Sequence, residues 1–304
     1  MSPLKIGSRA SPLALRQAEE VRTALVANQP DLQVDIIEIS TTGDRIQDRT
    51  LAAIGGKGLF TKEIEQALLD GAVDICVHSA KDMLTEFPSG LMLGPILQRE
   101  DTRDGFISHS GQKLSEMPSG AVIGTASLRR QSQILALRPD LEVITFRGTV
   151  QTRLRKLDEG QADATLLAVA GLKRLDCMDV LTQIFDPETI LPAVGQGAIA
   201  LELRVDDERS MRAVEPLNDV KSATEVAMER AFLAVLDGSC RTPIAGIANA
   251  NIDANRIKFR GLIAKADGSV VHSTIREGTI NDAIDMGKDA GLELKTEAGP
   301  NFLP

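Results

Sequence analysis

Tryptophan and tyrosine are absent from the chain, and phenylalanine occurs only 8 times in 304 residues. Proteins that hold single-stranded nucleic acid stack its bases on aromatic faces, so that class is disfavoured. Basic excess is missing as well: 34 Lys and Arg against 43 Asp and Glu leave a formal net charge of -9. A generic binder of nucleic acid or of an anionic membrane surface would show the opposite sign. Cysteine is scarce, and Cys76, Cys177 and Cys240 are far apart with no Cys-x-x-Cys pair. That pattern excludes a disulfide framework and fits a reducing cytosol. His78, His109 and His272 have no ligand spacing to one another or to the cysteines, so no metal is expected. Neither a signal-like apolar run at the start nor a stretch of membrane-spanning length is present. These absences predict a cytoplasmic protein with neither a membrane nor a nucleic-acid partner.

What is there is apolar periodicity. Hydrophobic residues make up 43% of the chain, enough to bury more than one core. Leu4-Lys5-Ile6 leads into Gly7 to Pro12, where Ser11 can cap a helix running to about Asn28. Val34 to Ile39 alternates like a strand, the glycine-rich stretch Thr41 to Gly58 reads as a long mobile loop, and Thr61 to Leu69 is helical. A buried strand from near Val73 then delivers His78-Ser79-Ala80-Lys81-Asp82 at its carboxyl end, the place where open α/β sheets hold ligands. The charged run Arg99 to Asp104 reads as an interdomain hinge. A second strand-helix alternation from Ala121 to Val169 predicts a mostly parallel sheet. Leu191 to Ala198 is a linker, and Ile199 to Leu203 is a candidate to rejoin the first sheet. Ser222 and Glu225 suggest a capping box for a helix from Glu225 to Leu236. Three strand-like runs from Ile244 to Ile275 and a helix near Asn281 to Leu294 close the chain. The expected fold class is α/β: a first lobe of residues 1–98 and 199–217, a second of 103–193, and a small α+β domain of 220–304.

Chemistry is concentrated in the second lobe. Residues 121–175 hold nine bases, Arg129, Arg130, Arg138, Arg147, Arg153, Arg155, Lys156, Lys173 and Arg174, against five acids. Guanidinium groups at helix starts and strand ends suit forked recognition of carboxylate or phosphate. Arg138, Arg155 and Lys156 are expected on solvated helix faces, whereas Arg129, Arg130 and Arg147 are expected at a ligand. Asp82, beside Lys81, is the candidate catalytic carboxylate. Gly55-Gly56-Lys57-Gly58 lacks the Ser or Thr of a phosphate-binding P-loop. Gly195-Gln196-Gly197 is too short for a dinucleotide fingerprint and reads as a turn between domains. Cys240, in a polar glycine-containing loop beside Arg241, is the plausible reactive thiol; Cys76 and Cys177 are expected to be packing residues.

These segments together resemble the porphobilinogen deaminase (hydroxymethylbilane synthase) family. The resemblance runs through Gly7 to Ala14, Gly55 to Phe60, His78 to Asp82, Gly124 to Arg130, Ala168 to Leu175, Leu191 to Ala198 and Gly238 to Pro243. It implies two lobes like those of periplasmic binding proteins and a third domain whose Cys240 carries a dipyrromethane cofactor as a thioether. It implies further that a polyacid of four added pyrroles grows on that primer from porphobilinogen and is released by water. Asp82 would protonate the leaving amine and stabilise the azafulvene cation. Cofactor contacts would come from Ser79, Lys81, Thr125, Ser127, Arg129, Arg130, Arg147 and Gly148. Substrate contacts would come from Arg9, Ser11, Arg147, Arg153, Arg174 and Gln196, with Lys57 and Phe60 in a lid. A monomer is implied. Leu84 and Thr102 stand where the family usually has proline, and Thr149 where it has asparagine; Leu84 is expected to hold the Asp82 loop less firmly. The rival classes are a non-catalytic two-lobed anion-binding protein, which leaves Cys240 unexplained, and an RNA-binding module.

Overall fold

The computed structural model describes residues 2–42, 61–238, 242–300, 302 and 303. The first sheet has the order β2-β1-β3-β10-β4, from β1 (Leu4–Arg9), β2 (Val34–Ile39), β3 (Ile75–Ser79), β4 (Leu91–Ile96) and β10 (Ile199–Arg204). The second repeats that pattern as β7-β6-β8-β5-β9, from β5 (Asp104–Ser108), β6 (Val122–Gly124), β7 (Glu142–Ile144), β8 (Ala164–Ala168) and β9 (Gln183–Ile184). In each, three parallel strands are followed by an antiparallel strand that the chain contributes after crossing from the other lobe. Four of the five strands in each sheet thus run one way, as the mostly parallel expectation has it, with β10 or β5 opposed to them. Strand β10 rejoins the first sheet, as expected for Ile199 to Leu203, whereas β5 arrives from within the charged run and is not anticipated as a strand. The two crossings join the lobes twice, and the cleft lies between them.

Helix α1 (Pro12–Asn28) follows the capping expectation. The Ser11 side chain accepts from the backbone N of Ala14, Pro12 occupies the first turn, and Ala14, Ala18, Val21 and Leu25 are buried against β1 and β3. Helix α2 (Lys62–Leu69) ends before Gly71 at φ +69. Helices α3 (Leu128–Leu137), α4 (Val150–Asp158) and α5 (Val169–Arg174) belong to the second lobe, and α6 (Glu208–Val214) returns to the first. Most of the Thr41 to Gly58 stretch lies outside the described residues.

The third unit is an antiparallel sheet of β11 (Ile244–Asn251), β12 (Arg256–Ala264) and β13 (Val271–Gly278). Helices α7 (Val220–Val235) and α8 (Ala283–Ala298) pack around Phe232 and Phe259, whose ring centroids are 5.0 Å apart. The Ser222-Glu225 capping box is not formed. Helix α7 starts earlier, with Asp219 accepting from the Ser222 backbone, which frees Glu225 to accept from the Ala250 backbone inside the domain.

The charged run after β4 does cross between lobes, but its charges are anchors rather than solvated linker. Arg99 donates to Glu229 through two nitrogens, at 2.7 and 3.0 Å, and to the Gln196 carbonyl at 2.9 Å. On the return crossing, Gly195 adopts φ +70 and donates its N–H to Glu229 at 2.7 Å. A Cβ there would stand 3.0 Å from the Ala80 carbonyl carbon and 3.0 Å from the Lys81 nitrogen. Gly195→Ala is expected to lower stability by about 1–3 kcal/mol, since it combines left-handed strain with a backbone collision. A denaturant midpoint identical to that of the parent would contradict this.

Candidate active site

Strand β3 ends at Ser79 and tightens into a 3-10 turn, Ala80–Asp82, held by Ala80 N–H on the Ala198 carbonyl at 3.0 Å. The turn aims Lys81 and Asp82 into a cleft of about 350 Å³ between the lobes. From the first lobe Arg9, Ser11, Gln17, Ser79, Lys81 and Asp82 line it; from the second, Ser127, Arg129, Arg130, Arg147, Gly148, Thr149, Arg153 and Arg174 do. Leu233, Thr242 and Ile244 of the third unit complete the wall. Thr242 stands two residues beyond Cys240, which, with Lys57 and Phe60, lies outside the described residues.

The second-lobe wall is built by helix starts. Ser127 caps α3 by accepting from the Arg130 backbone, which brings Arg129 and Arg130 into the first turn. Thr149 caps α4 by accepting from the Thr152 backbone at 3.2 Å, so the hydroxyl serves the cap that an asparagine would. Beneath both arginines sits Asp104, fully buried at the start of β5. It accepts from Arg129 at 2.6 Å, from Arg130 at 2.7 and 3.1 Å, and from Gln196 at 3.1 Å. The two cations hold the Asp104 carboxyl well below the usual range against the opposing pull of burial. Balance is not symmetrical: Arg129 shares this one anion with Arg130, and burial outweighs Asp104 to push its pKa down.

Deeper charge is poorly compensated. Burial pushes Lys81 down to about 8, with Asp82 opposing the shift and Arg130 reinforcing it. Part of Lys81 remains accessible from the cleft, and among the described residues its ammonium donates one hydrogen bond, to the Gln196 amide oxygen at 3.4 Å. Burial likewise brings Arg153 to about 10, with Arg130 and Arg147 repelling and Asp82 attracting. Arg153 itself donates through Nε to the Gly148 carbonyl at 3.0 Å. Among the described residues Asp82 makes no hydrogen bond or ion pair and lines the cleft half-exposed. Among the described lining residues cations outnumber the single carboxylate, Asp82.

Other candidates are placed differently. Thr125 is buried beside the cleft with its hydroxyl accepting from the Ser127 backbone at 3.2 Å, and it is not part of the lining. Arg174 lines the cleft but already bridges the lobes, donating to Glu20 at 3.0 Å and to the Gly197 carbonyl at 3.2 Å. Arg138 pairs with Asp140, Arg155 with Glu159, and Lys156 donates to the Arg147 carbonyl, all outside the lining. Thr102 gives its carbonyl to Gln196 at 2.7 Å. Cys76 is buried with its thiol pKa raised by burial, and Cys177 is half-buried; both are free. Sequence reasoning missed Gln17, which exchanges hydrogen bonds with Ser79 at 3.0 and 3.2 Å, and Asp104, read as part of a hinge. An aspartate directly before Gly-Phe-Ile-Ser, at the mouth of a strand, was the available signal for the latter. No cluster able to hold a metal ion occurs among the described residues.

Paired lobes of matching topology, closed over a cation-lined cleft, define a two-lobed α/β protein. Residues 4–212 match the family model described as "Porphobilinogen deaminase, dipyromethane cofactor binding domain", and 223–296 match "Porphobilinogen deaminase, C-terminal domain". The chain is 53% identical over 309 residues to a chloroplastic porphobilinogen deaminase of Oryza sativa subsp. japonica, covering 100% of this chain and 86% of the relative. It is 53% identical over 301 residues to the porphobilinogen deaminase of Nitrobacter winogradskyi, covering 98% and 94% respectively. Among solved structures it overlays on an arginine-specific periplasmic binding protein of Salmonella typhimurium with TM-score 0.42 and 12% identity, over 73% of this chain and 94% of that one. The chain belongs to the porphobilinogen deaminase family.

Proposed function

We propose that the interlobe cleft is the active site of a hydroxymethylbilane synthase, a transferase of porphyrin and haem biosynthesis. It condenses porphobilinogen head to tail, with loss of ammonia, onto a dipyrromethane primer and hydrolyses off the linear tetrapyrrole. The observation that carries this reading is a carboxylate, Asp82, without a partner among the described residues and set beside the buried cations Lys81 and Arg153, in a cleft that Thr242 also lines.

The residues suit the primer. Each of its pyrroles bears an acetate and a propionate, and the cleft offers ammonium and guanidinium donors on two walls. Arg129 keeps Nε and Nη2 without a partner among the described residues, while its Nη1 is committed to Asp104 and the Leu191 carbonyl. Together with Lys81, Arg130 and Arg147 it would hold the primer's carboxylates; Arg9, Arg153 and Arg174 would receive those of the incoming substrate. When bound, the dipyrromethane supplies a nucleophilic pyrrole carbon anchored through a thioether to Cys240. Asp82 gives a proton to the departing amine and, once ionised, faces the cation left on the substrate. It then takes the proton released as the new carbon-carbon bond forms. Arginine contacts neutralise the growing polyanion in a partly water-excluded cleft. Arg174, held to Glu20 across the lobes, is placed to exchange that carboxylate for a substrate's.

Intact mass tests the reading. The purified protein should exceed its 32.6 kDa chain by two linked pyrroles, consume porphobilinogen and release a linear tetrapyrrole. Cys240→Ser should lose both increment and activity; an increment that survives this change would contradict the anchor.

Lys81 gives a pH test. Its folded pKa of about 8 lies below the ordinary 10.5, so charge on Lys81 costs the folded state below pH 8, and that cost is relieved as pH rises towards 10.5. In cofactor-free Cys240→Ser protein, affinity for a free dipyrromethane bearing the primer's acid side chains should therefore fall between pH 7 and 9, and Lys81→Arg should flatten the decline. Parallel declines in calorimetric titration would contradict the assignment. A cytosolic monomer completes the proposal; the free thiols of Cys76 and Cys177 support the reducing compartment, and the monomer is what the family resemblance implies.

A further inference from the structure

We propose that Arg230, on the third unit's helix α7, is a positioning residue that fixes the Asp82 loop from behind. The proposal rests on the assignment of Asp82 above. After the 3-10 turn closes with Met83 N–H on the Ala80 carbonyl at 3.3 Å, the chain runs irregularly until Leu91 N–H meets the Pro88 carbonyl at 3.1 Å. Arg230 Nη2 donates to the carbonyl of Leu84 at 2.6 Å and of Thr85 at 3.3 Å. Among the described residues these are the only hydrogen bonds made by the main chain of 84–87.

The guanidinium forms no ion pair among the described residues. Burial lowers its pKa, and the one carboxylate that opposes the shift, Glu202, is not in contact and is itself engaged with His78 at 2.9 Å. Carbonyl dipoles and the face of Phe87, 5.3 Å from the guanidinium carbon, stabilise the cation instead. A cation used only to dock α7 would find a carboxylate, as Arg99 does with Glu229. Arg230 spends its donors on main-chain oxygens two and three residues beyond Asp82. The same helix ends just before Gly238, so one rigid element runs from the back of the aspartate loop to the segment that holds Cys240. Loss of Arg230 leaves that loop's carbonyls untied and lets the carboxylate drift from its working position.

Leu84 allows the role to be separated from folding. Among the described residues its N–H makes no hydrogen bond, its φ is negative, and Met83 before it has φ -80 and ψ 144, the extended conformation that precedes proline. Proline at 84 would stiffen the loop without removing a bond. Arg230→Gln is expected to lower kcat by about ten- to a hundredfold, with KM changed less than about twofold and the two-pyrrole mass increment retained. Adding Leu84→Pro to that variant should recover at least about half of the logarithmic loss. If Arg230→Gln fails to fold, Arg230→Lys, which keeps the charge and reaches one carbonyl, should show a smaller fall in kcat alone. An unchanged kcat in whichever variant folds would overturn the proposal, as would Leu84→Pro restoring the melting temperature without the rate. Asp82→Asn run alongside separates the two ideas: if it turns over normally the assignment of Asp82 fails, and if it is slow while Arg230→Gln is not, the positioning role alone fails.

Discussion

Asp82→Asn is expected to reduce kcat by about a thousandfold while leaving porphobilinogen affinity within a fewfold of the parent. The asparagine keeps the shape of the 3-10 turn, and the wild-type side chain has no partner among the described residues to lose. What disappears is the proton to be given and the negative charge that faces a developing cation, and general acid-base assistance of this kind contributes about 10²–10⁴. Substrate carboxylates still meet Arg9, Arg153 and Arg174, so KM should move little. Steady-state kinetics on cofactor-loaded protein, checked by mass, would decide the matter. An equal loss in kcat and affinity would point to a binding role instead.

The second large effect is structural. Among the described residues Asp104 is the one carboxylate hydrogen-bonded to the paired arginines; it is fully buried and bonded to Gln196 as well. Asp104→Asn leaves two buried guanidinium groups without a counter-charge, which is expected to destabilise the protein by about 3–5 kcal/mol. The pH dependence follows from its depressed pKa. The stabilising contribution is fully present above the unfolded value near 3.8 and is lost as pH falls below it. Parent and variant should therefore differ by a constant amount from neutrality to about pH 5 and converge in stronger acid. Chemical denaturation at several pH values would show this, and a gap that widened in acid would contradict the pairing.

The contrast between these aspartates explains what the sequence made legible. Asp82 follows a buried apolar run and sits where a sheet presents its ligands, so strand periodicity alone locates it. Helix α1 was equally visible, because Ser11, Pro12 and a four-residue apolar spacing agree on one answer. Asp104 was hidden in a charged run whose burial is decided by β5 crossing into the second sheet, a pairing with Ala168 that no local pattern encodes. The return of Ile199 to Leu203 to the first sheet, by contrast, was legible from its apolar run after the linker. Ser222 and Glu225 matched a local motif, yet Asp219 took the cap because Glu225 is required by β11. Arg230 carries no motif at all; its meaning depends on carbonyls more than a hundred positions away in the chain. The arginine cluster was legible as charge, but which members face the cleft and which cap, bridge or solvate was settled by helix direction.

The account's central claim is that a polyacid lengthens on Cys240 inside the cleft that Asp82 serves. Mixing the loaded enzyme with a few equivalents of porphobilinogen, quenching, and mapping adducts by peptide mass tests it directly. The account predicts a ladder of species, each one pyrrole heavier than the last, all carried by the peptide containing Cys240. Adducts on Cys76 or Cys177, or product formed with no protein-bound ladder, would contradict it.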